Sequence, residues 1–208
     1  MHFDLPELLR TVGYLGIFGI VFAESGMMVG FFLPGDSLLF TAGLLASQGF
    51  FNITILILGC FIAAVTGDSI GYYLGHKFGR RLFNKEDSFF FHKNHLKKAE
   101  RFYEKYGGKT IILARFIPVI RAFAPVAAGI GSMKYSTFIA YNLIGGALWA
   151  IGMTLAGYYL GQWIEDIDKY LLPIIGLIIF LSILPAIVEI LKDEGQRKRI
   201  FKLLRIGK

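Results

Sequence analysis

Four charged residues interrupt apolar stretches of the chain, and their types point to chemistry with anions and protons. Glu24 and Asp36 lie near the N-terminus, and Arg115 and Arg121 lie in the second half. A charge in the middle of a membrane costs roughly 2.5–3.5 kcal/mol on insertion scales, so such residues normally face a cavity or a partner. Two acids in one half and two arginines in the other therefore predict ion pairs where the two regions meet.

The two arginines predict an anionic ligand. A guanidinium presents a planar fork of N–H donors that matches phosphate oxygens, and it stays protonated at any relevant pH. We therefore expect Arg115 and Arg121 to bind an anionic headgroup. The alternative is that the four charges only lock two segments together, because a buried salt bridge need not bind anything.

The two acids predict proton exchange. Burial and a neighbouring arginine shift the pKa of a carboxyl group in opposite directions, and proton coupling requires a balance between them near neutrality. Glu24 and Asp36 are the candidates for this role. The sequence leaves open which of the two influences is stronger.

Asp68 and Asn142 are further polar residues within apolar stretches, and both are expected to support the site. Asp68 lies roughly 10 Å from the end of its stretch, at 1.5 Å per residue. It is expected to pair with an arginine, to cap a hairpin or to make purely structural hydrogen bonds. Asn142 is expected to hold two helices together rather than to bind a ligand.

Cysteine and histidine chemistry is not expected. Cys60 is the only cysteine, so neither an intrachain disulfide nor a cysteine-based zinc site can form. All four histidines lie outside the apolar stretches, at positions 2, 76, 92 and 95. The sequence therefore predicts no catalytic residue, no metal site and no cofactor.

The composition is that of a membrane protein with several spans. Of the 208 residues, 55% are hydrophobic and only 18% are charged, against about 25% charged in ordinary globular domains. Ten of the 22 Lys and Arg residues lie between Lys77 and Lys109, and seven more follow Glu189. The positive-inside rule explains such clusters more simply than nucleic-acid binding does.

Three stretches are long enough to cross the hydrocarbon core, which takes about 20 mostly apolar residues. They cover residues 53–75, 135–161 and 171–191. Two other apolar regions are interrupted by charge and by proline, the first at Pro34 and Gly35 and the second at Pro118 and Pro125. Backbone freed at membrane depth must be buried in protein or line a wet cavity. These two regions are therefore predicted to be re-entrant helical hairpins.

The sequence also repeats itself, because the run GYYLG that begins at Gly71 recurs 86 residues later at Gly157. We predict an all-α membrane protein built as an inverted repeat of a re-entrant hairpin plus a transmembrane helix, followed by a final transmembrane helix. The predicted single domain, 1–208, comprises a first repeat (1–76), a basic loop (77–109), a second repeat (110–162), a last transmembrane helix (171–191) and a tail (192–208).

Charge predicts the orientation of these elements. The loop at 77–109 has ten basic and four acidic residues, and the tail has seven basic and two acidic residues. Both are therefore expected in the cytoplasm. The two repeats then cross in opposite directions, as in many transporters. Within the loop, a helix with one apolar face is expected to lie on the membrane surface.

These motifs resemble the DedA family, also called the SNARE-associated or VTT-domain proteins, over nearly the whole chain. The matching segments are FAE at 22–24, FLPGDS at 32–37, GDSIGY at 67–72, RFIP at 115–118 with Arg121 and Pro125, AG at 128–129, and YN at 141–142 with Trp149.

The resemblance implies facing re-entrant hairpins and the movement of lipids between membrane leaflets. In bacterial members this activity is linked to recycling of undecaprenyl phosphate, and it is expected to depend on the proton gradient. By the same resemblance, Glu24, Asp36, Arg115 and Arg121 correspond to the functional charges of the family. Other members are linked to phosphatidylethanolamine movement or to phospholipid scrambling.

The sequence thus predicts a transporter rather than an enzyme, a flippase for undecaprenyl phosphate in the bacterial cytoplasmic membrane. The alternatives are a phospholipid flippase or scramblase, a proton-coupled carrier of small cations or drugs, and a scaffold that transports nothing. A membrane phosphatase is disfavoured because neither hairpin contains histidine. The expected partner is membrane lipid and not nucleic acid, and a homo-oligomer is compatible with the sequence.

Overall fold

The described part of the chain is built from α-helices. A computed structural model describes residues 5–27, 35–79, 101 and 104–163. The predicted last transmembrane helix at 171–191, the tail at 192–208, Pro34 and most of the predicted surface helix in the basic loop lie outside these residues. Within them the helices are α1 (Leu5–Gly26), α2 (Gly35–Ser47), α3 (Ile53–Phe78), α4 (Thr110–Ala114), α5 (Pro118–Ile130) and α6 (Tyr135–Trp163).

Helices α3 and α6 have the length and the composition to cross a membrane. They contain 26 and 29 residues, or about 39 and 43 Å at 1.5 Å per residue. Their mean hydropathies are 2.0 and 1.5. The predicted long apolar helices at 53–75 and 135–161 are confirmed, and each helix continues a few residues beyond its predicted end.

Both regions predicted to be interrupted consist of two successive helices, α1 with α2 and α4 with α5. Pro118 is the first residue of α5, where its missing N–H costs no hydrogen bond and its fixed φ favours the helix. Glu24 was expected to interrupt the first apolar arm. Instead α1 continues through it to Gly26, because the carboxylate is paired with an arginine, as described below.

The helices pack in a crossed arrangement. Helix α2, from the first half, lies along α6 of the second half, and α5 lies along α3. Helix α1 packs on α3 and α4 packs on α6. The second helix of each half therefore covers the third helix of the other half.

Glycine allows these crossed pairs to approach closely. A side chain at Gly43 of α2 would collide with the carbonyl group of Thr154 on α6, and one at Gly157 would collide with that of Phe40. On the other side, a side chain at Gly129 of α5 would collide with the carbonyl group of Tyr72 on α3. Small residues at such contacts bring helix backbones together, which is the usual basis of packing within membranes.

The outer faces of the long helices are apolar. On α3, the side chains of Ile55, Leu58 and Ile62 are 52–58% exposed. On α6, Leu148 is exposed to a similar degree, whereas the neighbouring Trp149 is buried. An apolar exterior around a more polar interior is what contact with lipid requires.

We predict that Gly157→Leu destabilises the protein strongly. The side chain would have to push α2 away from α6, and inserted methylenes cost about 1–3 kcal/mol or more. For a chain of this size that lowers the melting temperature by about 5–10 °C, measurable as thermal unfolding in detergent. Gly152→Leu is the matched control on the same helix, because nothing lies within 4 Å of its added Cβ. Equal melting temperatures for the two variants would contradict the close α2–α6 contact.

Candidate functional site

Arg121 joins the first two helices to α5. It lies in the first turn of α5, and its Nη2 pairs with Oε1 of Glu24 on α1. Its Nη1 donates to Oδ1 of Asp36, in the first turn of α2, at 2.8 Å. The Glu24 side chain is 1% exposed, whereas that of Asp36 is 44% exposed. One guanidinium therefore holds two carboxylates, one fully buried and one at the edge of the site.

Gly35 is required by this arrangement. Helix α2 begins at Gly35 directly against the carboxylate of Glu24, and a Cβ atom at this position would overlap that carboxylate. The missing side chain lets α2 start where its next residue, Asp36, reaches Arg121.

Arg115 forms a second network with residues of α3 and α6. Its Nη2 pairs with Oδ2 of Asp68 on α3 and with Oδ1 of Asn142 on α6. The amide nitrogen of Asn142 in turn donates to the carbonyl oxygen of Val65 at 3.0 Å. Gly145 provides the space for the arginine, because its added Cβ would lie 3.1 Å from Cδ of Arg115. This network ties α3, α6 and the end of α4 together.

Trp149 lies between the two networks. Its indole Nε1 donates to Oδ1 of Asp36 at 2.6 Å. The Cζ atom of Arg121 is 5.5 Å from the centre of an indole ring, and the Cζ atom of Arg115 is 6.0 Å from it. Both distances are within the range of a cation–π interaction. One aromatic side chain of α6 thus contacts both arginines and one of the acids.

A cavity opens between the networks and is lined by both arginines. Three buried polar atoms of the charged residues have no hydrogen-bond partner among the described residues, namely Oε2 of Glu24, Nε of Arg115 and Nε of Arg121. The residues that line the cavity are Glu24, Ser25, Asp68, Ile111, Ala114, Arg115, Arg121, Ala124, Pro125 and Trp149. The residues that carry these unpartnered atoms therefore all line the cavity.

The charges of the site do not cancel. Three carboxylates, from Glu24, Asp36 and Asp68, face two guanidiniums. With every group ionised the cluster has one excess negative charge, which a proton or a bound cation would neutralise. Among the described residues, no group of three or more His, Cys, Asp or Glu side chains is arranged to hold a metal ion.

The structure brings the predicted site residues together in ion pairs. Arg121 pairs with both Glu24 and Asp36, and Arg115 pairs with Asp68. Asn142 connects α6 to α3 through the carbonyl group of Val65.

The helix-breaking residues have separate places in the site. Pro125 lies inside α5 and lines the cavity, and Pro118 starts the same helix. Gly35 contacts the Glu24 carboxylate, and Pro34 lies outside the described residues.

Among the residues that line the cavity, Trp149 and Ser25 are the polar ones that the sequence did not identify as site residues. A tryptophan is usual at the ends of a membrane span, where it meets the headgroups, but Trp149 lies near the middle of α6. It also follows Asn142 by seven residues, which is two helical turns and therefore the same face. Position and spacing together would have indicated a polar role for its indole nitrogen. Ser25 had no signal beyond being next to Glu24.

Comparison with known proteins finds one matching family model and several similar bacterial proteins. The family model of the VTT domain matches residues 33–159. Protein DedA of Escherichia coli (strain K12) is 44% identical over 209 residues, which cover 97% of this chain and 95% of that protein. The uncharacterized membrane protein Rv0364 of Mycobacterium tuberculosis (strain ATCC 25618 / H37Rv) is 46% identical over 197 residues, which cover 89% of this chain and 86% of that protein. No solved structure matches the chain.

We predict that Asp68→Asn destabilises the folded protein by about 3–5 kcal/mol, because it leaves the buried charge of Arg115 without its counter-ion. The melting temperature in detergent should fall by about 10 °C. Glu104→Gln, at an exposed position, is the control and should leave it unchanged.

The double variant Asp68→Asn/Arg115→Gln tests the pairing itself. It should lose less stability than the sum of the two single variants, because the second substitution removes the charge that the first left uncompensated. Strictly additive losses would contradict a direct pair.

Proposed function

Because the chain belongs to the DedA family of membrane proteins, we propose that it is a transporter that moves undecaprenyl phosphate between the leaflets of the bacterial cytoplasmic membrane. The resemblance of the sequence motifs to this family is confirmed. The prediction of a membrane protein with long apolar helices is confirmed as well. The lipid, the proton coupling and the orientation in the membrane are parts of the proposal.

The observation that carries the proposal is the pair of arginines on one cavity. Arg115 and Arg121 lie within 6.0 Å of the same tryptophan ring, and each keeps a buried Nε without a partner among the described residues. A phosphate group needs several convergent N–H donors, which two guanidiniums supply. The isoprenoid tail of the lipid would stay in the bilayer while the phosphate crosses along the arginines.

The crossed packing supports an inverted repeat. The backbone nitrogen of Tyr158 on α6 is 3.1 Å from the added Cβ of Gly43 on α2. Moving 86 residues forward from Gly43 gives Gly129 on α5, and moving 86 residues back from Tyr158 gives Tyr72 on α3. These two residues are also in contact. Two contacts related in this way are expected when the halves are exchanged by a pseudo-twofold axis. In this arrangement α1–α2 and α4–α5 are the re-entrant hairpins, and the loop at 77–109 and the tail at 192–208 face the cytoplasm.

The excess negative charge of the site supports proton coupling. A phosphate that takes over the Nη donors of Arg121 displaces Glu24 or Asp36 from them, and a carboxylate that loses its counter-ion in this site is stabilised by taking up a proton. We propose that phosphate entry is accompanied by protonation of Glu24 or Asp36. Loss of that proton on the other side restores the carboxylate–arginine pair and releases the phosphate.

A carrier of small cations is the second candidate, and the same excess negative charge favours it. In that case the acids would bind the substrate and the arginines would only compensate their charge. The two functions differ in which substitutions matter, because neutralising Glu24 or Asp36 would abolish cation transport while loss of an arginine would be partly tolerated.

We predict that Arg121→Lys and Arg115→Lys each reduce lipid transport by about tenfold or more, because an ammonium group is a point charge and cannot replace the fork of donors. The measurement is transbilayer movement of labelled undecaprenyl phosphate in proteoliposomes, with phosphatidylethanolamine as the comparison lipid. Arg101→Lys is the matched control, since Arg101 is exposed and lies outside the cavity.

The outcomes of this experiment separate the candidates. Full activity of both lysine variants would contradict phosphate binding by the arginines. Equal movement of the two lipids by the unaltered protein would indicate a general scramblase. Movement of neither lipid would favour the carrier of small cations.

We also predict that an inward proton gradient accelerates transport by the unaltered protein, and that Glu24→Gln and Asp36→Asn remove this acceleration. Each amide is close in size to the carboxyl group but exchanges no proton. The rates should be compared with and without a proton ionophore. Acceleration that persists undiminished in both variants would place the coupling group elsewhere in the chain.

A further inference from the structure

We propose that Trp149 is a positioning residue that holds Asp36 on Arg121, and that it thereby sets how strongly Asp36 competes with an anionic ligand for that arginine. This inference rests on the proposed binding of a phosphate group by Arg121. It assigns to Trp149 a role in the affinity of the site that acts through Asp36 rather than through contact with the ligand.

The hydrogen bonds of Asp36 carry the argument. A single atom, Oδ1, accepts from Nη1 of Arg121 at 2.8 Å and from Nε1 of Trp149 at 2.6 Å. The side chain of Asp36 is 44% exposed, so its surroundings alone do not confine it. Trp149, in contrast, is only 3% exposed and is fixed within α6. The indole N–H is therefore the rigid contact that keeps a loosely enclosed carboxylate turned towards the arginine.

The ring of Trp149 adds a second constraint. Its distances of 5.5 and 6.0 Å to the Cζ atoms of Arg121 and Arg115 place both cations on one aromatic system, which attracts each of them. Phenylalanine at this position would keep most of the ring but lose the N–H donor. Trp149→Phe thus removes the hydrogen bond to Asp36 while largely preserving the packing of α6.

The proposal predicts that loss of the Trp149 hydrogen bond strengthens ligand binding, whereas structural damage would weaken it. A hydrogen bond to a charged group contributes enough to change an equilibrium about tenfold or more. Without it, Asp36 competes less well for Arg121, so an anionic ligand should bind more tightly. A tryptophan that only fills space, or one that contacts the ligand, would weaken binding when replaced.

The first test measures affinity. Binding of farnesyl phosphate, a short isoprenyl phosphate, is measured by calorimetry in detergent. Trp149→Phe should lower the dissociation constant about tenfold, whereas Trp163→Phe, which alters an 81% exposed residue at the end of α6, should leave it unchanged. In an Asp36→Asn background, Trp149→Phe should have no further effect. Weaker binding after Trp149→Phe, in either background, would overturn the proposal.

The second test does not depend on any ligand. The chain contains two tryptophans, so Trp163→Phe leaves Trp149 as its single fluorescent indole. In that background Asp36→Asn should shift the Trp149 emission, because it changes the acceptor of the indole N–H, and Glu104→Gln should not. Unchanged emission would overturn the proposed contact. If the unaltered protein does not bind farnesyl phosphate, the proposed function fails, and the emission test still decides whether Trp149 holds Asp36.

Discussion

The described structure depends on one constraint, which is that the buried positive charge of Arg121 must be compensated by carboxylates. A buried guanidinium without counter-ions would be too costly inside a membrane, and here it draws carboxylates from two different helices. Glu24 is reached because α1 continues past it to Gly26, and Asp36 is reached because α2 starts at Gly35 against the Glu24 carboxylate. The end of α1 and the start of α2 thus both bring an acid to one charge.

Close helix packing makes this compensation geometrically possible. Because the aspartate side chain is short, Asp36 on α2 reaches the indole N–H of Trp149 on α6 only when the two helices pack closely. Gly43 and Gly157 provide that approach, each lying against the backbone of the other helix. Packing and charge are therefore not independent here, since a wider α2–α6 spacing would separate the acid from the indole that contacts both arginines.

The division of the charges into two networks matches the proposed transport. Arg115 has one acid and the amide of Asn142, and its network connects α3, α4 and α6. Arg121 has two acids, one of which is half exposed. A site whose own carboxylates occupy the Nη atoms of the arginine binds an anion there in exchange for a carboxylate, which limits its affinity and allows release. On the proposed function this balance is useful, because a transporter must give up what it binds.

The sequence by itself determined the elements and the chemistry of the site. Hydropathy and length identify α3 and α6, proline marks the start of α5, and the cost of intramembrane charge requires the acids and arginines to pair. Only the tertiary structure decided which acid meets which arginine, and that Trp149 contacts both networks. The physical reason is that pairing depends on how distant helices cross and rotate. Contacts such as Gly43 with Thr154 set these angles, and periodicity within a single segment does not encode them.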